Sequence, residues 1–298
     1  MPYPVTVITI NEVGRDVHVI TTENWRLNSG LIVGQGRALV IDTGAGPRQG
    51  RAILETVRKV TQLPLVVLNT HAHFDHYMGN AVFQRAGATD FWAHRAAAQA
   101  IETYGDYQRS FVGVLEPEMG EGTGLDTRIV VPTRHLPGTG RRPALTRIDL
   151  GDRQALVFSL GRGHTDNDVL VGVDDVVFAG DVVEQGADPS FEDSFPEDWV
   201  GALEQLADLE RYRVVVPGHG LPVDHADVRV MAATMAGAVE RIRAMQAQEP
   251  AEGSSGPVTA SMFRLPYGAG ASRILLDRLS LLDAEAEALA QSGEHTPD

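Results

Sequence analysis

The chain has 298 residues, 43% hydrophobic and 22% charged, which is enough apolar material for one large core or two smaller ones without help from cross-links. Lys and Arg number 25 against 40 Asp and Glu, a formal charge of −15, so polyanions are repelled and nucleic acid is excluded as an expected partner. With no cysteine, disulfides, thiolate metal sites and a cysteine nucleophile are excluded, and any metal must be held by nitrogen and oxygen.

The start, "MPYPVTVITINEV", has no basic segment followed by an apolar one, and no apolar run approaches the roughly 18 residues that span a bilayer. The expectation is a cytoplasmic protein with no membrane partner. The β-branched runs "VTVITI", "DVHVITT", "SGLIVG" and "RALVIDTG" are separated by Gly, Asn and Asp and predict an antiparallel meander. Next, "PRQGRAILETVRKVTQ" carries Pro at a helix start and apolar residues at helical spacing, and leads into the buried strand "LPLVVL". Two helices, "GNAVFQRAG" and "AHRAAAQAIETYGDYQRSF", flank a short strand "TDFWA", after which "GVLEPEMGEGTG" breaks the periodicity and predicts a mobile loop.

Strands return at "TRIDL", "QALVFSL", "DVLVGV" and "DVVFAG", followed by a helix at "PEDWVGALEQLADLE" and a strand "RVVVPG". The second half thus repeats the order of the first. A main domain over 1–225 is expected to precede a helical extension over 226–298. That extension holds two helices, "ADVRVMAATMAGAVERIRAMQAQ" and "SRILLDRLSLLDAEAEALAQ", joined by "EPAEGSSGPVT". These helices either pack on the main domain or pair between subunits of a homo-oligomer. The tail "SGEHTPD" is expected to fray.

The densest chemistry lies in "LNTHAHFDHYMGN", where His71, His73, Asp75 and His76 fall within six positions directly after a buried strand. Neighbouring imidazolium charges would repel one another, so the cluster makes sense when the rings are neutral and aim their lone pairs at a cation. Other apolar strands also end at a candidate ligand: "SLGRGHTDND" supplies His164, "FAGDVV" supplies Asp181 and "VVPGHG" supplies His219. Open α/β sheets gather ligands at such edges. Imidazole and carboxylate donors without thiolate suit zinc, with manganese or iron as alternatives. His94, His18 and His135 read as structural or solvated, Trp199 as a core anchor of its helix, and Trp25 in "TTENWRLNSG" as a residue of the pocket mouth.

The pattern His71-x-His73-x-Asp75-His76, then His164, Asp181 and His219 in order, resembles the metallo-β-lactamase superfamily, from about Gly30 to Gly220. The resemblance implies an α/β fold, a four-layer αββα sandwich with a dinuclear metal centre along one edge. It implies that His71, His73 and His164 hold one metal, that Asp75, His76 and His219 hold the other, and that Asp181 bridges the two. The cofactors implied are two Zn2+. Two cations that share a water lower its pKa towards about 7, so the expected enzyme is a metal-dependent hydrolase of small molecules that opens an ester, thioester or lactone with a metal-bridging hydroxide. Asp75 has a second, catalytic duty in that scheme: orienting the hydroxide and carrying a proton to the leaving group. Asp42 in "VIDTG" resembles a recurrent family position behind the site, where a carboxylate receives the outer nitrogen of a ligand histidine; a plain turn aspartate is the rival reading.

Within the superfamily, the bridging aspartate resembles the glyoxalase II-like, lactonase-like and esterase-like hydrolases, whereas the zinc-thiolate lactamases have cysteine near that place. "GHTDND" is similar to a stretch of the lactamases, which keeps β-lactam hydrolysis as an alternative. The C-terminal segment does not resemble the glutathione-gripping one of glyoxalase II, and the tyrosine that many quorum-signal lactonases carry after the bridging aspartate is replaced by "DVVEQGADPSF". The run "FAGDVV…PSFEDSFPEDW…VVPGHG" is most similar to the sulfur-oxidation-associated and quinoprotein-associated hydrolases. An iron-dependent sulfur dioxygenase and a non-catalytic metal-binding module complete the alternatives. The tRNA-processing ribonucleases share the first motif but need a basic arm that this acidic chain does not show.

Overall fold

Four antiparallel strands begin the computed structural model, which describes residues 8–136, 145–247 and 265–292. The segment "EPAEGSSGPVT", the tail after Ser292 and the first residues of "VTVITI" lie outside the described residues. The opening meander is β1 (Ile8–Gly14), β2 (Val17–Thr22), β3 (Asn28–Val33) and β4 (Ala38–Ile41). Helix α1 (Pro47–Val60) crosses over to β5 (Leu65–Leu68), which runs parallel to β4. The short helices α2 (Phe74–Tyr77) and α3 (Asn80–Arg85) lead to β6 (Asp90–His94), then α4 (Arg95–Gln108), α5 (Pro117–Glu121) and β7 (Arg134–Leu136). These seven strands form one sheet in chain order.

The second sheet comprises β8 (Thr146–Asp149), β9 (Gln154–Phe158), β10 (Leu170–Val173), β11 (Val176–Glu184) and, after α6 (Pro196–Ala207), β12 (Val214–His219). Its order is β12-β11-β10-β9-β8, with β11 and β12 parallel. Helices α7 (His225–Gln246) and α8 (Ala269–Ser292) follow.

Strand periodicity of two builds four layers from these elements. Leu39 and Ile41 of β4 and Val66 and Leu68 of β5 face Val171, Val173, Val176 and Phe178 of the other sheet. Their alternates Ala38, Val40, Leu65 and Val67 face outward, onto Ile53 and Val57 of α1 and Val82 and Phe83 of α3. On the far side, Leu170, Val177, Ala179 and Val215 pack under Trp199 and Leu203 of α6, Val228 and Met235 of α7, and Leu275 and Leu279 of α8. The order is helices, sheet, sheet, helices, the expected αββα sandwich.

Two local expectations are corrected. The stretch "GVLEPEMGEGTG", expected to be a mobile loop, is folded into the body: Glu116 and Met119 are fully buried, and the Glu116 carboxylate accepts from the Arg48 and Gln49 backbone N–H groups at 2.9 and 2.7 Å. Those N–H groups belong to the first turn of α1, which has no side-chain cap of its own and whose dipole favours an anion there. Strand β11 does not end at Asp181 but runs on to Glu184, with register shifts on both sides of Gly180; the bulge turns Asp181 towards the sheet edge.

Candidate metal centre

All seven residues expected as ligands meet at one edge of the sandwich. His71, His73, Asp75 and His76 follow β5 and enter α2, His164 stands in the loop before β10, Asp181 lies in β11, and His219 closes β12. Two groups of donors result: His71, His73, His164 and Asp181, and Asp75, His76 and His219, with the donor atoms in each group all within 4.8 Å of one another. His94, His18 and His135 belong to neither group. His94 instead caps α4 by accepting from the Ala96 N–H, and the His135 ring donates to the Pro132 carbonyl.

The outer partner of each ring decides which nitrogen keeps a free lone pair. Asp42 lies behind the cluster, 1% exposed, and accepts the Thr70 N–H, the Thr70 hydroxyl and the His76 Nδ1–H, each at 2.8 Å. Because the Thr70 hydroxyl gives its proton to Asp42, its oxygen receives the Nδ1–H of His71 at 3.1 Å. His219 Nδ1 faces the Trp25 carbonyl at 2.8 Å, a group that can only accept. His73 Nε2 faces Asp193, 2.9 Å away. In the neutral rings, lone pairs are thereby left at Nε2 of His71, His76 and His219 and at Nδ1 of His73.

Those lone pairs converge on Asp181. One carboxylate oxygen, Oδ2, lies 3.7 Å from His71 Nε2, 3.4 Å from His76 Nε2, 3.6 Å from His164 Nε2 and 3.4 Å from His219 Nε2. Metal–ligand bonds of about 2.1 Å in a tetrahedron separate neighbouring ligand atoms by about 3.4 Å, so this spacing fits cations seated between the donors. His73 Nδ1 and His164 Nε2 approach to 2.9 Å, and Nε2 of His71 and His76 are buried without a hydrogen-bond partner among the described residues. Inward lone pairs left unpaired are costly unless a cation takes them.

Charge follows position. Burial, then repulsion from His76, drives His71 well below the ordinary imidazole range, and burial takes His164 down to about 4; both rings are neutral, as ligation requires. Burial also opposes charge at His76 and His219, but the neighbouring Asp181 outweighs it and raises both, so a cation seated there would displace an Nε2 proton from each ring. At Asp181, burial is overridden by His219 and His76, which hold its carboxyl well below the usual range. Glu184 goes the other way: burial and the Asp181 charge push it up to about 8, beside His164 Nδ1 at 3.7 Å.

Glycine at 218 is a geometric requirement, since a Cβ there would overlap Asp181 Oδ1. Gly218→Ala is therefore expected to push the carboxylate off its four imidazoles, so that bound zinc and turnover fall together while circular dichroism stays native. Native zinc content in this variant would show that Asp181 has room to move.

Trp199 is the core anchor expected of it, fully buried with its Nε1–H donating to the Val182 carbonyl at 2.8 Å; its ring also lies edge-on to His164 at 5.3 Å. Trp25 is half-buried, its ring 5.9 Å from that of Phe74 and its carbonyl on His219 Nδ1, and takes a left-handed backbone conformation (φ 57°) that is unusual for a bulky residue. Sequence reasoning missed Asp193 and Glu184, which stand in and before an irregular loop with no periodicity or spacing to mark them.

The sequence model of the family described as "Metallo-beta-lactamase superfamily" matches residues 25–219, which include every one of these donors. The chain belongs to the metallo-beta-lactamase superfamily. It is 30% identical over 217 residues to the human (Homo sapiens) acyl-coenzyme A thioesterase MBLAC2, a match that covers 65% of this chain and 73% of the relative. It is 22% identical over 228 residues to the type 2 metallo-beta-lactamase of Bacillus cereus, covering 72% of this chain and 77% of that one. In three dimensions it is similar to a metallo-beta-lactamase from Pontibacter korlensis, with a TM-score of 0.59 at 18% identity over 77% of this chain and 99% of the other. Members of this superfamily depend on metal, and the named relatives make this chain a hydrolase.

Proposed function

We propose that the chain hydrolyses an acyl thioester, ester or lactone with two metal ions, zinc foremost. His71, His73 and His164 would hold one, and Asp75, His76 and His219 the other, with Asp181 between them. The observation that carries this reading is the single Asp181 oxygen ringed by four imidazole nitrogens at 3.4 to 3.7 Å, a donor arrangement suited to a shared anion between two cations. Manganese and iron would satisfy the same donors. Among the candidate reactions, thioester cleavage has the support of the human relative that is named for it.

When bound, such a pair supplies Lewis-acid polarisation of the acyl carbonyl and a water ionised near neutral pH. The chain's own residues supply the rest. The neighbouring His76 and His219 hold the Asp75 carboxyl below its ordinary range against its burial, and the ionised carboxylate would orient the attacking water and carry its proton to the leaving sulfur or oxygen. His71, His76 and His164 are at most 1% exposed, whereas His73 and His219 are 24% and 18% exposed; substrate reaches the centre from that open side.

An aromatic shelf borders the open side. Phe74, between His73 and Asp75 in sequence, meets Trp25 at 5.9 Å and Phe111 at 6.0 Å, and Phe111 meets Tyr107 at 5.3 Å. Phe111 and Tyr107 are 52% and 68% exposed, and a surface of that kind suits an apolar acyl group. Phe111→Ala is expected to raise KM for long-chain acyl thioesters by about tenfold, the loss of one well-placed apolar side chain, and to leave short-chain substrates unchanged. Equal effects at all chain lengths would remove the shelf from substrate binding.

The overall reading is tested by metal-quantified protein assayed on acyl thioesters, lactones, aryl esters and a chromogenic cephalosporin. Thioester turnover far above that of the cephalosporin is expected. Cephalosporin turnover alone would favour the β-lactam reading, and one iron per chain with oxygen uptake would favour the sulfur dioxygenase.

A further inference from the structure

The family match ends at His219, yet a residue 59 positions further along is tied to the metal centre. Arg278 lies on α8, and its guanidinium donates from Nε to the Ser194 carbonyl at 2.5 Å and from an Nη to the Asp193 carbonyl at 3.3 Å. It also lies over the Phe195 ring, 5.0 Å from the centroid. Each residue of this short segment has a further role. The Asp193 side chain holds His73 Nε2 at 2.9 Å, Ser194 is fully buried, and the Phe195 N–H donates to the Gly163 carbonyl at 2.8 Å, next to His164.

Two arms therefore leave one anchored segment and end at the two imidazoles that face each other at 2.9 Å, His73 and His164. The anchoring from the C-terminal side is repeated nearby. The Gly268 N–H donates to Asp188 at 2.8 Å, the Tyr267 and Phe191 rings meet at 5.5 Å, and Phe191 packs on Trp199, which in turn borders His164. Leu275 and Leu279 of α8 are fully buried in the same core cluster as Phe191 and Trp199. A loop that carries a ligand's outer partner has to be rigid for the ligand to be held, since a free loop would let the imidazole turn.

We propose that α8 is a positioning element for the His71, His73 and His164 cation site, acting through Arg278 and the Asp193 carboxylate. The proposal rests on the two-cation reading above and adds a residue from outside the family match to its support. Arg278 touches neither substrate nor cation; it fixes the segment that fixes His73. The site formed by Asp75, His76 and His219 takes its outer partners from Asp42 and Trp25, so α8 leaves it alone.

Stepwise zinc affinity, measured by chelator competition on the full chain, reads the difference without recourse to activity. Arg278→Ala and Asp193→Ala should each weaken one of two zinc steps by about 10- to 100-fold, the usual effect of losing an outer partner, and leave the other step within about twofold. Their double variant should weaken that step by less than the product of the two single effects, because both act on His73 through Asp193. Arg278→Lys and Asp193→Asn, gentler changes on partly exposed side chains, should lie between, which keeps the test open if an alanine variant does not fold. Unchanged zinc steps in folded variants would overturn the proposal alone, as would equal weakening of both steps, the mark of a general structural role. Wild-type chain that binds no zinc would overturn the two-cation reading and this proposal with it.

Discussion

Asp181→Ala is expected to abolish hydrolysis for practical purposes, with turnover down by two or more orders of magnitude, greater than the 10- to 100-fold typical of losing an outer partner. The cause is local. Four imidazole nitrogens lie within 3.7 Å of one Asp181 oxygen, and without that anion the cations assigned to the two groups would repel each other across the gap with nothing between them. His71→Ala should act on the same centre by removing one donor. The fold should survive both changes, because the cores on either face of each sheet are built from apolar residues elsewhere. Zinc content, turnover and circular dichroism of each variant check this together; native metal and native rate in either would remove that residue from the site.

A second large effect is expected at Asp42. Asp42→Ala leaves the Thr70 N–H, the Thr70 hydroxyl and the His76 Nδ1–H without their acceptor in a region 1% exposed. Each such loss costs about 1–3 kcal/mol, so destabilisation of about 3 kcal/mol or more is expected, visible as a lower midpoint in urea at unchanged slope. Asp42→Asn separates stability from function. Its amide fills the same space, but an N–H turned towards His76 Nδ1 would move the ring's proton to Nε2 and take the lone pair away from the site. Zinc binding should then fall about 10- to 100-fold in a protein that unfolds close to the wild-type midpoint. Equal zinc affinity in Asp42→Asn would show that this carboxylate does not set the His76 tautomer.

The candidate metal centre was legible in the sequence because its donors are concentrated where strands end. His71, His73, Asp75 and His76 follow one buried strand, and His219 closes another, so a local pattern reports a three-dimensional cluster. Asp42 was legible only as a choice between a turn residue and an outer partner, and it stands as the outer partner just past β4. Its φ is 59°, as a turn aspartate tolerates, and its carboxylate holds His76. The partition of strands and helices was legible from periodicity, including the repeated order of the two halves. Strand β7 was not, because three residues carry no alternation to read.

What escaped were groups whose meaning depends on partners far along the chain. Glu116 sits among Gly and Pro, the composition of a loop, yet it caps α1 across a separation of 67 residues. Asp193 reaches His73 across 120 residues, and Arg278 reaches the Asp193 segment from a helix whose amphipathic pattern announces only packing. A side chain that supports a ligand needs one well-placed acceptor or donor, and one residue makes no pattern.

Chelator-stripped full chain titrated with zinc, with hydrolysis of an acyl thioester followed at every addition, tests the two-cation centre most directly. Turnover should be absent from the stripped protein and should climb to a plateau at about two equivalents per chain. Full turnover before any zinc is added, or a plateau already complete at about one equivalent, would contradict it.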